Sequence, residues 1–427
     1  MATLPVDVNY GLASLPSTVK SASYVSRSTN GATFTSNNTV QFQIVNNQGL
    51  YLEPGSMYIS FRIRVTGDAA ATNEILGSCP AASVWSRSSL QANSTSIEDI
   101  NNYGSVVSQL LHSRLTVSQK QGLSKPFGVT FTADNANSVN SHTVAAGAVE
   151  NIIEVCAPVM NALNNADKMI PLDAAQFQLY LTLDELANFS AESDGTATSL
   201  TGFSVDNCEL HYRGVQFPPE MDALIKSQVD GAGDIYFKSQ SYASSVANIS
   251  AASSGNISLN FAQSLTSIKS VFCSFNKSTT FKNFASYNIT NGAGSIGWVI
   301  AGTPYNQQRI DLTNHESDAV LEYLQAIHGT VSAAEVGSSL SVNNFRTINT
   351  ADANGKDLAK AYFGVSTERL AGKSYMLTGV SSQGSNTVLE LSIDGAATNV
   401  SCNVIQVWNY DLLMKYSPAM NQLVVLK

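Results

Sequence analysis

Ser83-Val-Trp85-Ser-Arg87, followed by Ser96-Ile97-Glu98-Asp99-Ile100-Asn101-Asn102-Tyr103, leads from a strand through a turn towards a helix. Trp85 ends a short approach, Ala81-Ala-Ser-Val84, that delivers a large aromatic into a strand. Beyond it, Ile100, Tyr103, Val107, Leu110 and Leu111 recur at helical spacing, which predicts a helix from about residue 99 to residue 112. Glu98 and Asp99 then fall where negative charge favours a helix N-terminus, and are expected to act as start caps.

Around this segment the pattern is that of strands. Met57, Ile59, Phe61, Ile63 and Val65 alternate with polar residues, so one face is expected to be core. Phe177, Leu179, Leu181 and Leu183 repeat the period, as do Ile257, Leu259 and Phe261. Residues 203–215, 268–275 and 388–393 are strand-like, and 404–413 reads as a strand buried on both faces. Asn30-Gly31, Asp194-Gly195, Asn291-Gly292, Asn354-Gly355 and Asp394-Gly395 supply turn chemistry between them. Loops of very unequal length suggest jelly rolls rather than a regular meander. A second helix is predicted over 317–327, with Val320, Leu321, Leu324 and Ile327 on one stripe and Asn314 or Ser317 as its cap. Each half of the chain thus holds a helix within β patterning. The halves divide at Pro218-Pro219, where proline blocks strand pairing and a helical patch over 221–225 follows. The expected domains are 1–217 and 234–427, with 218–233 as linker.

Composition agrees. Of 427 residues only 13% are charged, while 44% are hydrophobic and Ser, Asn, Thr and Gly fill much of the rest. A disordered chain needs the opposite balance, and long exposed helices need Glu, Lys and Ala. Uncharged polar outer faces suit β-sheets that end up against copies of themselves. The net charge is −9, and residues 1–19 hold no Lys or Arg, so strong direct nucleic-acid binding is not expected. The five cysteines are scattered and odd in number, which predicts buried free thiols rather than disulfides or zinc. The opening MATLPVDVNYGLASLP has neither a basic nor an apolar leader region, and a protein that is cytosolic or nuclear when made is expected.

The quoted segment from Ser83 to Tyr103 resembles the strand–turn–helix segment of double jelly-roll major capsid proteins of tailless icosahedral DNA viruses, the adenovirus and polinton-like lineage. Phe34, Gln41-Phe42-Gln43-Ile44 and Gly49-Leu-Tyr51-Leu-Glu53-Pro54 are similar to that family's first strands. Ser267-Ile-Lys269-Ser-Val271-Phe272 and Val407-Trp408-Asn409-Tyr410-Asp411-Leu-Leu413 are similar to later ones. The resemblance implies an all-β chain of two consecutive eight-stranded jelly rolls, with one short helix inserted in each. It implies a homotrimer of pseudo-hexagonal outline that tiles an icosahedral capsid around a genome, assembled in the cytoplasm or nucleus, with minor capsid or penton proteins as further partners. An inner membrane under the shell is left open. Trp85, Glu98, Asp99, Tyr103 and Trp408 become the structural and assembly residues, with Trp85 and Tyr103 expected to dock the first helix across an end of the first roll. The alternatives are a single jelly-roll capsid protein with a projecting β domain, and a β-sandwich adhesin or carbohydrate-binding protein.

Catalytic signals are weak. Gly292-Ala-Gly294-Ser-Ile-Gly297 matches a nucleotide-loop pattern by letter, but a strand-like Trp298-Val-Ile300 follows where a helix is required. Gly372-Lys373-Ser374 lacks the first glycine of a phosphate loop, and Asp352 to Asp357 lacks the later glutamate of a calcium loop. The five histidines show no metal-binding spacing. Asp184-Glu185 and Glu98-Asp99 are neighbours in sequence, which places strand residues on opposite faces rather than in a dyad. No enzyme activity and no cofactor are expected.

Overall fold

The structure, a computed structural model, describes residues 18–67, 74–77, 79–129, 142–145, 150–192, 198–228, 233–250, 253–277, 294–306, 308–312, 316–328, 338, 340, 362–368, 377–393, 402–420 and 422–426. Eight longer strands frame the first unit, beside six short ones of two or three residues: β1 (Lys20–Arg27), β2 (Thr39–Gln43), β3 (Tyr58–Thr66), β4 (Trp85–Ala92), β5 (Thr95–Asn101), β6 (Glu150–Pro158), β7 (Phe177–Leu183) and β8 (Gly202–Gln216). They form two antiparallel sheets in the orders β1-β8-β3-β6 and β2-β7-β4-β5. Successive strands alternate between the two sheets except β4 and β5, which pair as a hairpin within one, and that order is the jelly roll.

The second unit repeats the plan with β9 (Ile235–Ile249), β10 (Gly255–Phe261), β11 (Ile268–Lys277), β12 (Gly294–Ile300), β13 (Ile310–Asp311), β14 (Phe363–Ser366), β15 (Thr387–Ile393) and β16 (Cys402–Ser417). Its sheets run β9-β16-β11-β14 and β10-β15-β12-β13, and a last strand, β17 (Gln422–Leu426), borders β16. The fold is two consecutive jelly rolls. Among the described residues no strand ladder joins one roll to the other.

Local chemistry accounts for these strands. In β7 every second residue is buried, from Phe177 to Leu183. In β3 Ile59, Phe61, Ile63 and Val65 point inward, while the exposed face carries Arg62 and Arg64 against Asp206 of β8. The β16 strand is buried along most of its length because β9 and β11 flank it and both of its faces are covered. Trp408 faces inward, where its Nε1 donates to Thr387 Oγ1 of the opposite sheet at 3.1 Å and its ring meets Phe261 edge-on.

In both rolls a helix occupies the connection between the fifth and sixth strands. The first roll carries α1 (Tyr103–Arg114), α2 (Val117–Gly122) and α3 (Ser124–Phe127), and the second carries α5 (Glu316–His328). Between the rolls lies α4 (Pro219–Lys226), tied down by Tyr51, which donates to Asp222 Oδ1 at 2.7 Å, and by Lys226, which holds Asp222 and Asp173.

Two helix boundaries differ from expectation. The first helix begins at Tyr103, not near Asp99, because β5 stays paired with β4 as far as Asn101. Asn102 then takes a left-handed conformation that ends the ladder and starts the helix. Glu98 and Asp99 are strand residues, so neither caps α1, whose first turn holds no acidic side chain. In α5, Ser317 is the second helical residue rather than the cap, and Asn314 lies outside the described residues. Leu321 is exposed; the buried position is Tyr323. The first roll also carries a run of helices in place of the single one expected. Of the turn dipeptides, only Asn30-Gly31 falls within the described residues, and there Asn30 bridges to Thr39 and Gln41.

Candidate functional site at the seam between the rolls

A group of buried polar side chains joins the two rolls where they meet. Glu98 on β5 is 0% exposed. Its Oε1 accepts the Ala162 N–H at 2.9 Å, and its Oε2 accepts the Ser241 hydroxyl of β9 at 2.6 Å. A carboxylate of the first roll thus binds a strand of the second. The turn beside it is held too: Ser244 Oγ donates to the Asn101 carbonyl at 2.6 Å, and Asn102 Nδ2 donates to Ser244 Oγ at 3.3 Å. Further along β9, the Lys238 N–H donates to Asp167 Oδ1 at 3.0 Å while the Asp167 N–H returns a bond to the Lys238 carbonyl at 2.9 Å. Asn165 donates to the Gln240 carbonyl, and Ser239 to the Ala162 carbonyl.

The helices form the second half of the seam. Tyr323 of α5 shares its hydroxyl with Ser113 Oγ at 2.7 Å and accepts from Gln109 Nε2 at 3.2 Å, both on α1. Its ring is stacked on Tyr362 and meets Phe272 edge-on. Burial pushes its ionisation well above the usual tyrosine range. Arg114, the last residue of α1, donates to the Ile327 carbonyl at 3.0 Å and to Tyr242 Oη at 3.3 Å. These buried polar pairs are matched donor to acceptor, which is the condition for burial without a large penalty.

The five residues singled out from sequence occupy different places. Glu98 is in the seam. Tyr103 opens α1 beside it, buried, with its Oη accepting the Met160 N–H at 2.9 Å. Trp85 is buried in the first roll against Phe61, with ring centroids 5.0 Å apart. Gly104 sits where a Cβ would come within 2.8–2.9 Å of the Trp85 and Ser83 backbone, so only glycine lets α1 approach so closely. Asp99 points away from the seam and pairs with Arg87 across the β4–β5 ladder at 2.7 Å. Trp408 belongs to the core of the second roll, apart from the other four.

Sequence reasoning missed Tyr323, Ser241, Gln109 and Asp167. No pattern marks a serine on one strand as the partner of a glutamate 143 residues earlier. Of the rejected motifs, Gly294 to Gly297 lie in strand β12, while the Gly372-Lys373-Ser374 and Asp352 to Asp357 segments lie outside the described residues. All five cysteines are free, with Cys156 half-buried and the other four buried. No helix among the described residues is long and apolar enough to cross a membrane.

No family model and no curated protein matches this chain. Solved structures do match, along nearly its whole length. The Faustovirus major capsid protein is similar with a TM-score of 0.64 at 9% identity, over 97% of this chain and 93% of that one. The PBCV-1 virus capsid gives 0.60 at 11%, over 98% of both chains. The mavirus major capsid protein gives 0.52 at 11%, over 100% and 95%. The chain has the double jelly-roll fold found in these viral capsid proteins.

Proposed function

We propose that the chain is a viral major capsid protein, and that three copies form a pseudo-hexagonal block tiling an icosahedral shell. The observation that carries this is the duplication itself: two rolls of the same strand order, each with its helix at the same connection, fixed to one another by a buried polar seam. Rigid pairing of two rolls gives each chain two of the six sides of a hexagon, so three chains close it. The lengthwise match to capsid proteins supports the same reading. Residues 1–217 and 234–427 serve as the two rolls, with 218–233 as the connection. Trp85, Tyr103 and Trp408 hold the roll cores and the docked helix, and Glu98 holds the seam. The chain's role is structural rather than enzymatic, and its place is the virion. Its partners are further copies of itself and the minor capsid and penton proteins that close a shell. Its net charge of −9 argues for weak contact with nucleic acid.

Mass measurement on the purified protein tests this, with about three times 45.4 kDa expected. Electron micrographs should show hexagonal outlines. A monomer that persists at micromolar concentration across salt conditions overturns the proposal.

A further inference from the structure

We propose that a cavity in the seam binds a small protonated oxyanion, of which monohydrogen phosphate is the simplest member. The cavity measures about 340 Å³ and is lined by Arg114 from the first roll and by Lys269, Ser270, His328, Glu368 and Asn409 from the second. Three buried polar atoms without a hydrogen-bond partner belong to this one lining: Ser270 Oγ, Asn409 Oδ1 and His328 Nε2. Ser270 is 2% exposed and Asn409 6%. They are direct cross-strand neighbours on β11 and β16. Leaving such atoms unpaired is costly, so a site that gathers three of them is built for something that bonds to them. The backbone agrees. The β11–β16 register shifts between Ile268 and Ser270, which makes Lys269 the bulged residue and re-aims its side chain.

The donors and acceptors define the ligand. Arg114 uses Nη2 on Tyr242 and Ile327. Lys269 lies 3.5 Å from Glu368, whose Oε1 also takes the Thr378 hydroxyl. Two fixed cations against one carboxylate leave the lining positive within a chain of charge −9. An anion is therefore favoured. Asn409 Oδ1 can only accept. His328 engages the Ser113 backbone, and burial, then Arg114, lower its proton affinity, so its ring accepts at neutral pH. The ligand must then present acceptor oxygens to the cations and at least one O–H to the acceptors. Sulfate has no such proton near neutrality; phosphate does. Held by Arg114 on one side and by Ser270 and Asn409 on the other, it clamps the two rolls together.

Titration calorimetry on the full chain, prepared without phosphate, tests this with inorganic phosphate and sulfate at matched ionic strength. Phosphate should bind saturably, one per chain, and raise the melting temperature with concentration. Sulfate should bind roughly tenfold or more weakly, the worth of a charge-assisted hydrogen bond. Ser270→Ala and Asn409→Asp should each weaken phosphate by a similar factor. Ser270→Ala removes one oxygen only, so it stands even where Asn409→Asp does not fold. Glycerol phosphate decides the source: binding equal to phosphate marks a phosphoryl group on a larger molecule, and loss of binding marks the free ion. Equal responses to phosphate and sulfate, or unchanged binding in Ser270→Ala, overturn the proposal.

Discussion

Replacing Glu98 by alanine removes the acceptor of two buried donors at once. The Ala162 N–H and the Ser241 hydroxyl belong to residues with no exposed surface, so water cannot take the place of the carboxylate without opening the seam. Each stranded donor costs about 1–3 kcal/mol, and the vacated volume adds to this, for a total of about 3–5 kcal/mol. Unfolding entropy near 2.1 cal/mol/K per residue comes to about 0.9 kcal/mol/K for a chain of 427 residues. The melting temperature should therefore fall by about 3–6 °C in scanning calorimetry. An exposed helix-start charge, the role suggested by sequence, would be worth only about 0.3–1 kcal/mol and would shift melting by about a degree or less. A double-mutant cycle with Ser241→Ala isolates the link between rolls, and the two changes should be non-additive by about 1 kcal/mol or more. A shift below a degree, or additivity within about 0.3 kcal/mol, refutes a seam held by Glu98.

Tyr103→Ala should cost about 3–5 kcal/mol by emptying a buried ring site and stranding the Met160 N–H, seen as lower folding yield and trimer recovery together. Tyr323→Phe keeps the ring but leaves Gln109 without its hydroxyl acceptor, and melting should report a loss of about 1–2 kcal/mol. Burial pushes the Cys79, Cys208 and Cys402 thiols from 9.0 up to about 12. The folded state therefore holds these protons after the unfolded chain has lost them, and stability should decline as pH rises above about 9. A melting temperature flat from pH 9 to pH 11 contradicts that. In the native protein at pH 8, a thiol reagent should reach half-buried Cys156 faster than any other cysteine.

The strands were legible because a half-buried sheet writes its burial into a period of two. Phe177 to Leu183 alternate in sequence and in burial alike, and Pro218-Pro219 marks a break in strand pairing where α4 begins. The helix start was not legible. Ile100, Tyr103 and Val107 fit a helical stripe, yet Ile100 belongs to β5, because pairing with β4 outweighs local spacing until Asn102 turns left-handed. Apolar residues three and four apart satisfy a helix or a strand ending in a turn, and only the partner strand decides between them.

Sequence by itself determined the class of this protein: an all-β chain, poor in charge, with two halves of similar plan. That much follows from composition and period, which are local. Tertiary structure alone decided how the halves join. Glu98 became a seam residue because Ser241 was brought to it, Tyr323 because α1 lies beside α5, and the cavity because Arg114 comes to line it together with Lys269, Ser270 and Asn409. All three depend on groups far apart in the chain, and the Glu98 and Tyr323 contacts are tolerable in the interior because donor meets acceptor there, a matching that is a property of the folded arrangement.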